Sequence, residues 1–471
     1  MNPTSLTTAE TVQSTLTPAL FARSTSQGRW KLVRHLALLD RAITDTILGS
    51  NQVRRLIVTM PPRHGKSELI SRYLPAWFVG TFPDRKVILV TSEADFAADW
   101  GRQARAALEE NAGLFGVAID QESRAANRWN IKGREGGMRT AGVGGPITGK
   151  GADLLIVDDT IKNAEEAVSE TYRDKNWDWW QTTAYTRLEP EGAAIVVHTR
   201  WHTDDLIGRI LKESKEQWRV INLPALAEEN DPLGRQPGEA LWPERFPKAA
   251  LENIRDNQAL YWWSALYQQR PTKHGTIEWP GEYFDDGIWF DEWPLAPLLK
   301  VVALDPSKGK TERSDYSAVV MVGEDLDGTL WVEADIERRP VGQIVASAAE
   351  ICRDFQPEGF GLEINSWQDL LAQPFLERFR ELGLVHLPIE CIHNRVAKEV
   401  RIRRLDALLR ARRMRFRTTR GTRLLVSQLK EFPLAVHDDG PDALEMGVRL
   451  LEHYKSGLTQ PGPVIFEYVT A

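Results

Sequence analysis

The residues of this chain most ready to do chemistry lie between Arg54 and Val79, in RRLIVTMPPRHGKSELISRYLPAWFV. A β-branched apolar run, Leu56, Ile57 and Val58, leads into a tight turn ending in Gly65-Lys66-Ser67, and a helical stretch follows. In a strand, loop and helix of this kind, backbone N–H groups and the helix N-terminus face nucleotide phosphates, the lysine reaches the β and γ oxygens, and the hydroxyl ligates Mg²⁺. Gly65 and Lys66 are therefore expected on phosphate and Ser67 on magnesium, although Met60 stands where such loops usually begin with glycine. Further on, Asp153 to Asp159 (DLLIVDD) is a buried-strand run ending in two carboxylates. Asp158 suits the magnesium shell, and Asp159 suits the polarisation of an attacking water. Either motif alone also fits an ordinary turn; the two in this order predict an ATP site.

Two further stretches belong with that site. The strand Ala193 to His198 ends in Thr199-Arg200-Trp201-His202. Polar residues at the C-terminal end of a central parallel strand face the nucleotide crevice, so Thr199 and Arg200 are positioned to sense the γ-phosphate. The glycine-rich region Arg134 to Gly151 reads either as a plain flexible loop or as a mobile element over the nucleotide or toward a neighbouring subunit. Its Arg139 and Lys150 are candidates for a charge-neutralising finger.

A second constellation is acidic. Asp305 ends the run Lys300 to Asp305 (KVVALD), Glu363 ends Gly359 to Glu363, and Asp438, Asp439 and Asp442 open the last helical pattern. Between them the sequence predicts a hairpin about Asp327-Gly328, a helix Val341 to Phe355, a helix Gln368 to Leu382, a strand Leu387 to Ile392 and three closing helices, from Lys398 to Arg410, Thr422 to Phe432 and Pro441 to Tyr454. Three strands, helix, strand, helix, strand, helix is the order of the ribonuclease-H-like fold, in which acids in these slots converge. Clustered carboxylates suit two hard divalent ions, Mg²⁺ or Mn²⁺, acting on a phosphodiester. Asp315 is a candidate outer-shell ligand. Between Arg395 and Arg423 twelve Lys or Arg stand against two acids, Glu399 and Asp406. A run this basic beside such a site, with Arg401, Arg403, Arg404, Arg412 and Arg413 at its centre, is expected to hold a DNA backbone.

These motifs need two cores to position them, and 471 residues suffice for both. The boundaries read as a flexible arm over 1–28, a phosphate-loop ATPase domain of RecA/ASCE type over 29–225, a Pro- and Trp-rich connector over 226–298, a ribonuclease-H-like domain over 299–456 and a tail over 457–471. The net charge is −7, so contact with nucleic acid must come from local basic patches. Cys352 and Cys391 lack the spacing of a disulfide framework or a zinc site and read as core residues of a cytoplasmic protein. No apolar run has membrane-spanning length.

Taken together, PPRHGKS, DLLIVDD, HTRWHTDDL, ALDPS, LEIN and HDDGPDALE resemble the large terminase subunits of tailed bacteriophages and prophages, over roughly residues 30–455. The resemblance implies an ATP-driven motor that threads double-stranded DNA into a procapsid and a metal-dependent endonuclease that cuts concatemers, working in the host cytoplasm. It implies a homo-oligomeric ring on the portal protein, with a small terminase subunit as partner. By position, Arg63 acts on the phosphates beside Lys66 and Ser67, Asp158 and Asp159 are the acidic pair, and Thr199 to His202 couple hydrolysis to movement. Asp305, Glu363 and Asp438 match the nuclease triad, with Asp439 and Asp442 as alternates. Two other readings are a translocase with an inactive nuclease-like scaffold and another nucleic-acid remodelling ATPase.

Overall fold

The computed structural model describes residues 17–49, 52–147, 149–271, 278–295, 298–306, 316–364, 371–435, 437–459 and 467–468. Asp315 lies outside them. The chain divides into two compact units, one of Met1–Asp256 with Tyr261–Lys273, the other of Asn257–Leu260 with His274–Ala471.

Among the described residues the first unit is built on an eight-stranded sheet: β1 (Arg55–Thr59), β2 (Lys86–Thr91), β3 (Ile119–Ala125), β4 (Arg128–Ile131), β5 (Gly137–Gly142), β6 (Ala152–Asp158), β7 (Leu188–His198) and β8 (Arg219–Asn222). Their spatial order is β3-β4-β5-β2-β6-β7-β1-β8. The pairs from β5 to β8 are parallel, and β3 and β4 add an antiparallel edge. Successive strand residues face opposite sides. Leu56 and Val58 of β1 therefore enter one core and Ile57 the other, which is why the strand reads as an unbroken apolar run. The strand β7 lies between the one that feeds the phosphate loop and the one that ends in Asp158. That insertion is the ASCE arrangement.

Three local readings change. Residues 18–25, expected in a flexible arm, form the helix Pro18–Thr25, with Phe21 and Ala22 buried and Ala19 N–H donating to Asp40 Oδ1 at 2.8 Å. Within the glycine-rich stretch, Gly137–Gly142 is not a mobile loop but strand β5. Its glycines serve close packing: a Cβ on Gly136 would come within 2.2 Å of the Pro83 carbonyl, and one on Gly137 within 2.3 Å of that of Trp129. Much of the expected connector, through Asp256 and again over 261–273, folds with the first unit, around Leu226, Leu251 and Trp263.

The second unit holds β9 (Trp289–Phe290), β10 (Leu299–Asp305), β11 (Ser317–Glu324), β12 (Leu330–Glu337), β13 (Gly359–Glu363), β14 (Ile389–Ile392), β15 (Met414–Arg417) and β16 (Glu467–Tyr468), in the order β16-β14-β13-β10-β11-β12-β15-β9. β10, β11 and β12 pair antiparallel, while β13 and β14 continue parallel on the other side of β10. The central order β12-β11-β10-β13-β14 is that of the ribonuclease-H-like fold. Val301 and Ala303 face the core under the closing helix Asp439–Thr459, and Val302 and Leu304 face the core under the helix Val341–Phe355. Both cysteines are buried. No described helix is long and apolar enough to cross a membrane.

Candidate active sites

In the first unit, three adjacent strands deliver their C-terminal ends to one place. The turn after β1 needs backbone with positive φ: Arg63 adopts 63° and Gly65 89°. Gly65 also lies against Leu36, whose Cδ1 would be 3.2 Å from an added Cβ. Lys66 is buried. Its ammonium donates to Thr199 Oγ1 at 2.7 Å and pairs with Asp159 Oδ2 at 3.0 Å. Asp158, at the end of β6, is fully buried and accepts from Ser67 Oγ at 3.1 Å and from Ser71 Oγ at 2.6 Å. Burial, and then the neighbouring Asp159, push the Asp158 carboxyl up to about 6. Asp159 has a φ of 46° and accepts from Thr199 N–H at 2.7 Å, so its side chain is tied to the end of β7.

These donors fit a magnesium nucleotide. A serine hydroxyl and a carboxylate meet within hydrogen-bond distance beside a lysine ammonium, and hard oxygen donors suit Mg²⁺. Next to the loop is a cavity of about 730 Å³ bordered by Trp30, Leu36, Gly65, Arg72, Tyr73 and Trp242. Below the loop, His64 stacks on Phe246 with ring centroids 4.7 Å apart, and its carbonyl meets His35 Nε2 at 2.9 Å. Burial draws His64 down to about 4 and lowers His35 as well.

Other expected residues sit differently. Arg63 is exposed. Arg200 Nε donates to the buried Asp205 at 2.8 Å, and its backbone N–H donates to Gln269. The guanidinium expected on the γ-phosphate is thus committed to the N-cap of the helix Leu206–Glu213. Arg139 is half-buried on β5, four strand positions from β1, or ~19 Å at the usual spacing between strands. Lys150 is exposed. Sequence reasoning passed over Ser71; its signal was the position four residues after Ser67, one helical turn along the same face.

In the second unit, Asp305 ends β10 and Glu363 ends the neighbouring β13, whose register pairs Leu304 with Leu362. The third carboxylate of the group is Asp442, not Asp438: oxygens of Asp305, Glu363 and Asp442 lie within 4.8 Å of one another, and all three residues are buried. The correction follows from helix geometry, because Asp442 is one turn into the closing helix, on the face against the sheet, while Asp438 precedes it and is partly exposed. Asp439 Oδ2 accepts from Tyr316 N–H at 3.2 Å. Burial, and then Glu363, raise Asp305 well above the usual carboxylate range, and burial lifts Asp442 to about 7 against Arg401 and Lys398. Three carboxylates at this spacing fit a divalent ion, whose charge would offset their mutual repulsion.

The basic run is partly internal. Arg401 and Arg403, expected to face DNA, are buried: Arg401 donates to Asp442 Oδ2 at 2.9 Å, and Arg403 pairs with Glu278 at 2.6 Å. Both are anchors of the fold. Arg404, Arg412 and Arg413 are exposed and lie beside Glu445, Asp285 and Glu324 respectively. Two donors to the carboxylate group were missed. Asn394 Nδ2 reaches Glu363 Oε1 at 2.8 Å. Lys398 Nζ stands among Asp305, Asp438, Asp439 and Asp442. Burial opposes its charge, but Asp305, Asp438 and Asp442 outweigh that and hold the ammonium protonated. Nothing in the spacing of Lys398 to the acids marked it.

Residues 57–260 match the family model described as terminase large subunit, T4likevirus-type, N-terminal. Over those residues the chain is similar to the large terminase subunits. No curated protein sequence matches. Among solved structures, the large terminase of a thermophilic bacteriophage aligns at 12% identity, covering 86% of this chain and 98% of that one, with a TM-score of 0.45. The HK97 bacteriophage large terminase aligns at 15% identity over 87% and 93%, with a TM-score of 0.35. The RuvC of T. thermophilus aligns at 12% identity over 35% of this chain and 99% of its own, with a TM-score of 0.22.

Proposed function

We propose that this chain is a large terminase subunit, the ATP-hydrolysing motor that drives double-stranded DNA into a procapsid, and that its second unit is the metal-dependent endonuclease that cuts the DNA. The observation that carries the first half is the convergence of Lys66, Ser67, Asp158, Asp159 and Thr199 at the ends of three neighbouring strands. Lys66 would bind the β and γ phosphates, and Ser67 with Asp158 would hold Mg²⁺, which supplies charge neutralisation when bound. Asp159, anchored by the Thr199 N–H, orients the attacking water and links its position to the end of β7. The cavity beside Gly65 is large enough for the base and sugar. Arg139, remote from its own loop, serves best as a finger for a neighbour's site, which would require the ring; Lys150 is the alternate. The portal protein and a small terminase subunit are the partners this role demands.

The nuclease half rests on the three buried carboxylates of Asp305, Glu363 and Asp442. Mg²⁺ or Mn²⁺ held there would supply an activated water and a Lewis acid for the phosphodiester. Cleavage of supercoiled plasmid by wild type, Asp305→Ala and Lys66→Ala tests both halves. Asp305→Ala is expected to abolish cutting and keep ATP hydrolysis; Lys66→Ala is expected to do the reverse. A second reading, a translocase with an inactive nuclease-like scaffold, draws on Lys398 among the acids. Absence of cutting by wild type in either metal, or cutting that survives Asp305→Ala, would count against the nuclease site.

A further inference from the structure

We infer that Lys398 supplies the positive charge at one of the two cation positions of the carboxylate cluster, so that the second unit takes a single divalent ion rather than two. This rests on the nuclease reading above. The cluster has two lobes that share Asp305 and Asp442. Glu363 completes one, the compact trio of buried acids. Asp438 and Asp439 complete the other, and Lys398 fills it: Nζ is 2.8 Å from Asp438 Oδ1, 3.5 Å from Asp439 Oδ1, and 3.7 Å from both Asp305 Oδ2 and Asp442 Oδ2. Glu363, for its part, is met by Asn394 at 2.8 Å and by Arg401 at 4.0 Å.

An ammonium has three donors and no acceptor, and it matches several carboxylate oxygens at once without ligand-field demands. A divalent ion in the same lobe would sit within a few ångströms of that ammonium and be repelled by it. The lysine is also held in place from its own segment. Asn394, four residues before it, donates to Glu363 Oε1 at 2.8 Å and accepts from Arg449 at 2.8 Å. Arg401, three residues after it, donates to Asp442 Oδ2 at 2.9 Å. One stretch of chain therefore meets both lobes, and the three side chains fix one another's register. Lys398 can neutralise charge on the scissile phosphate but cannot activate water as a metal does, so the ion in the Glu363 lobe carries that task alone.

Counting Mn²⁺ bound to the full chain by the electron paramagnetic resonance of free Mn²⁺, without nucleotide, tests this. Asp305→Asn, which removes a carboxylate common to both lobes, gives the baseline. Wild type is expected to bind one ion above it, Lys398→Arg one, and Lys398→Gln two. Two ions in wild type, or one in a Lys398→Gln chain whose thermal unfolding shows it folded, overturns the assignment while leaving the nuclease site standing. No ion above baseline in either chain would instead remove the metal site and the inference with it. If Lys398→Gln does not fold, the wild-type count still decides.

Discussion

Asp158 shows how a single carboxylate is prepared. Each of its oxygens accepts from a serine, Ser67 on one side and Ser71 on the other. If Ser67 turns to a magnesium ion, only Ser71 still orients the buried acid. Removing it leaves a buried acceptor unsatisfied, which costs about 1–3 kcal/mol. Ser71→Ala is expected to raise the Mg²⁺ concentration needed for half-maximal binding of a fluorescent ATP analogue several-fold, with a smaller loss of thermal stability. An unchanged Mg²⁺ requirement would show that Ser71 only fills space. His64 makes a different prediction. Its pKa is lowered to about 4 from 6.5, so the unfolded chain binds the proton more readily, and stability is lost as pH falls from 6.5 toward 4. The full effect is roughly 3 kcal/mol. His64→Gln should flatten the fall of the unfolding midpoint between pH 6.5 and 4.5; an equal slope in both proteins would rule this histidine out as the source.

Elements in this chain are set as much by backbone approach as by pattern. Gly101 lies in the helix Ala94–Glu110, where alanine would favour the helix by about 1 kcal/mol. A Cβ there, however, would come within 2.2 Å of the Ala126 carbonyl and 2.9 Å of Thr140, and the Gly101 carbonyl accepts from Trp129 Nε1 at 3.0 Å. The obstruction is backbone, so overpacking of about 1–3 kcal/mol wins. Gly101→Ala should lower the unfolding midpoint, whereas Gly113→Ala, with nothing within 4 Å, should not; equal midpoints for the two would refute the packing argument. The same logic explains what could be read in advance. Apolar runs fixed β1, β6, β7 and β10, because a strand buried on both faces must be apolar throughout, and with them came Lys66, Asp158 and Asp305. Gly136 and Gly137 misled, since close packing and flexibility call for the same residue type. Asp442 was ranked behind Asp438, as an alternate, because only the helix phase separates the two. Lys398 and Ser71 were invisible because their partners are remote in sequence, by 40 residues for Asp438 and 87 for Asp158.

For the molecule as a whole the question is how an acidic chain holds a polyanion. With a net charge of −7, attraction must come from a patch, and the basic run from Arg395 to Arg423 is smaller than its composition suggests. Arg401 and Arg403 are consumed inside the fold and Lys398 inside the carboxylate cluster. The exposed members are Arg395, Arg404, Arg412, Arg413, Arg420 and Arg423. Each phosphate contact on duplex DNA adds about 0.9 to the slope of log affinity against log salt, so this run can contribute about 5, where a fully exposed run with ten charges in excess would give about 9. Anisotropy titrations of a fluorescent duplex with the full chain, metal chelated, would measure it. The Arg395→Gln, Arg420→Gln double variant should bind more weakly and lower the slope by about 2. Arg403→Gln should behave otherwise: it strands the buried Glu278, which costs about 3–5 kcal/mol of stability, and leaves the slope of the protein that remains folded near that of wild type. A double variant with the wild-type slope would take this face out of the DNA path, and the attraction would then have to arise from the first unit.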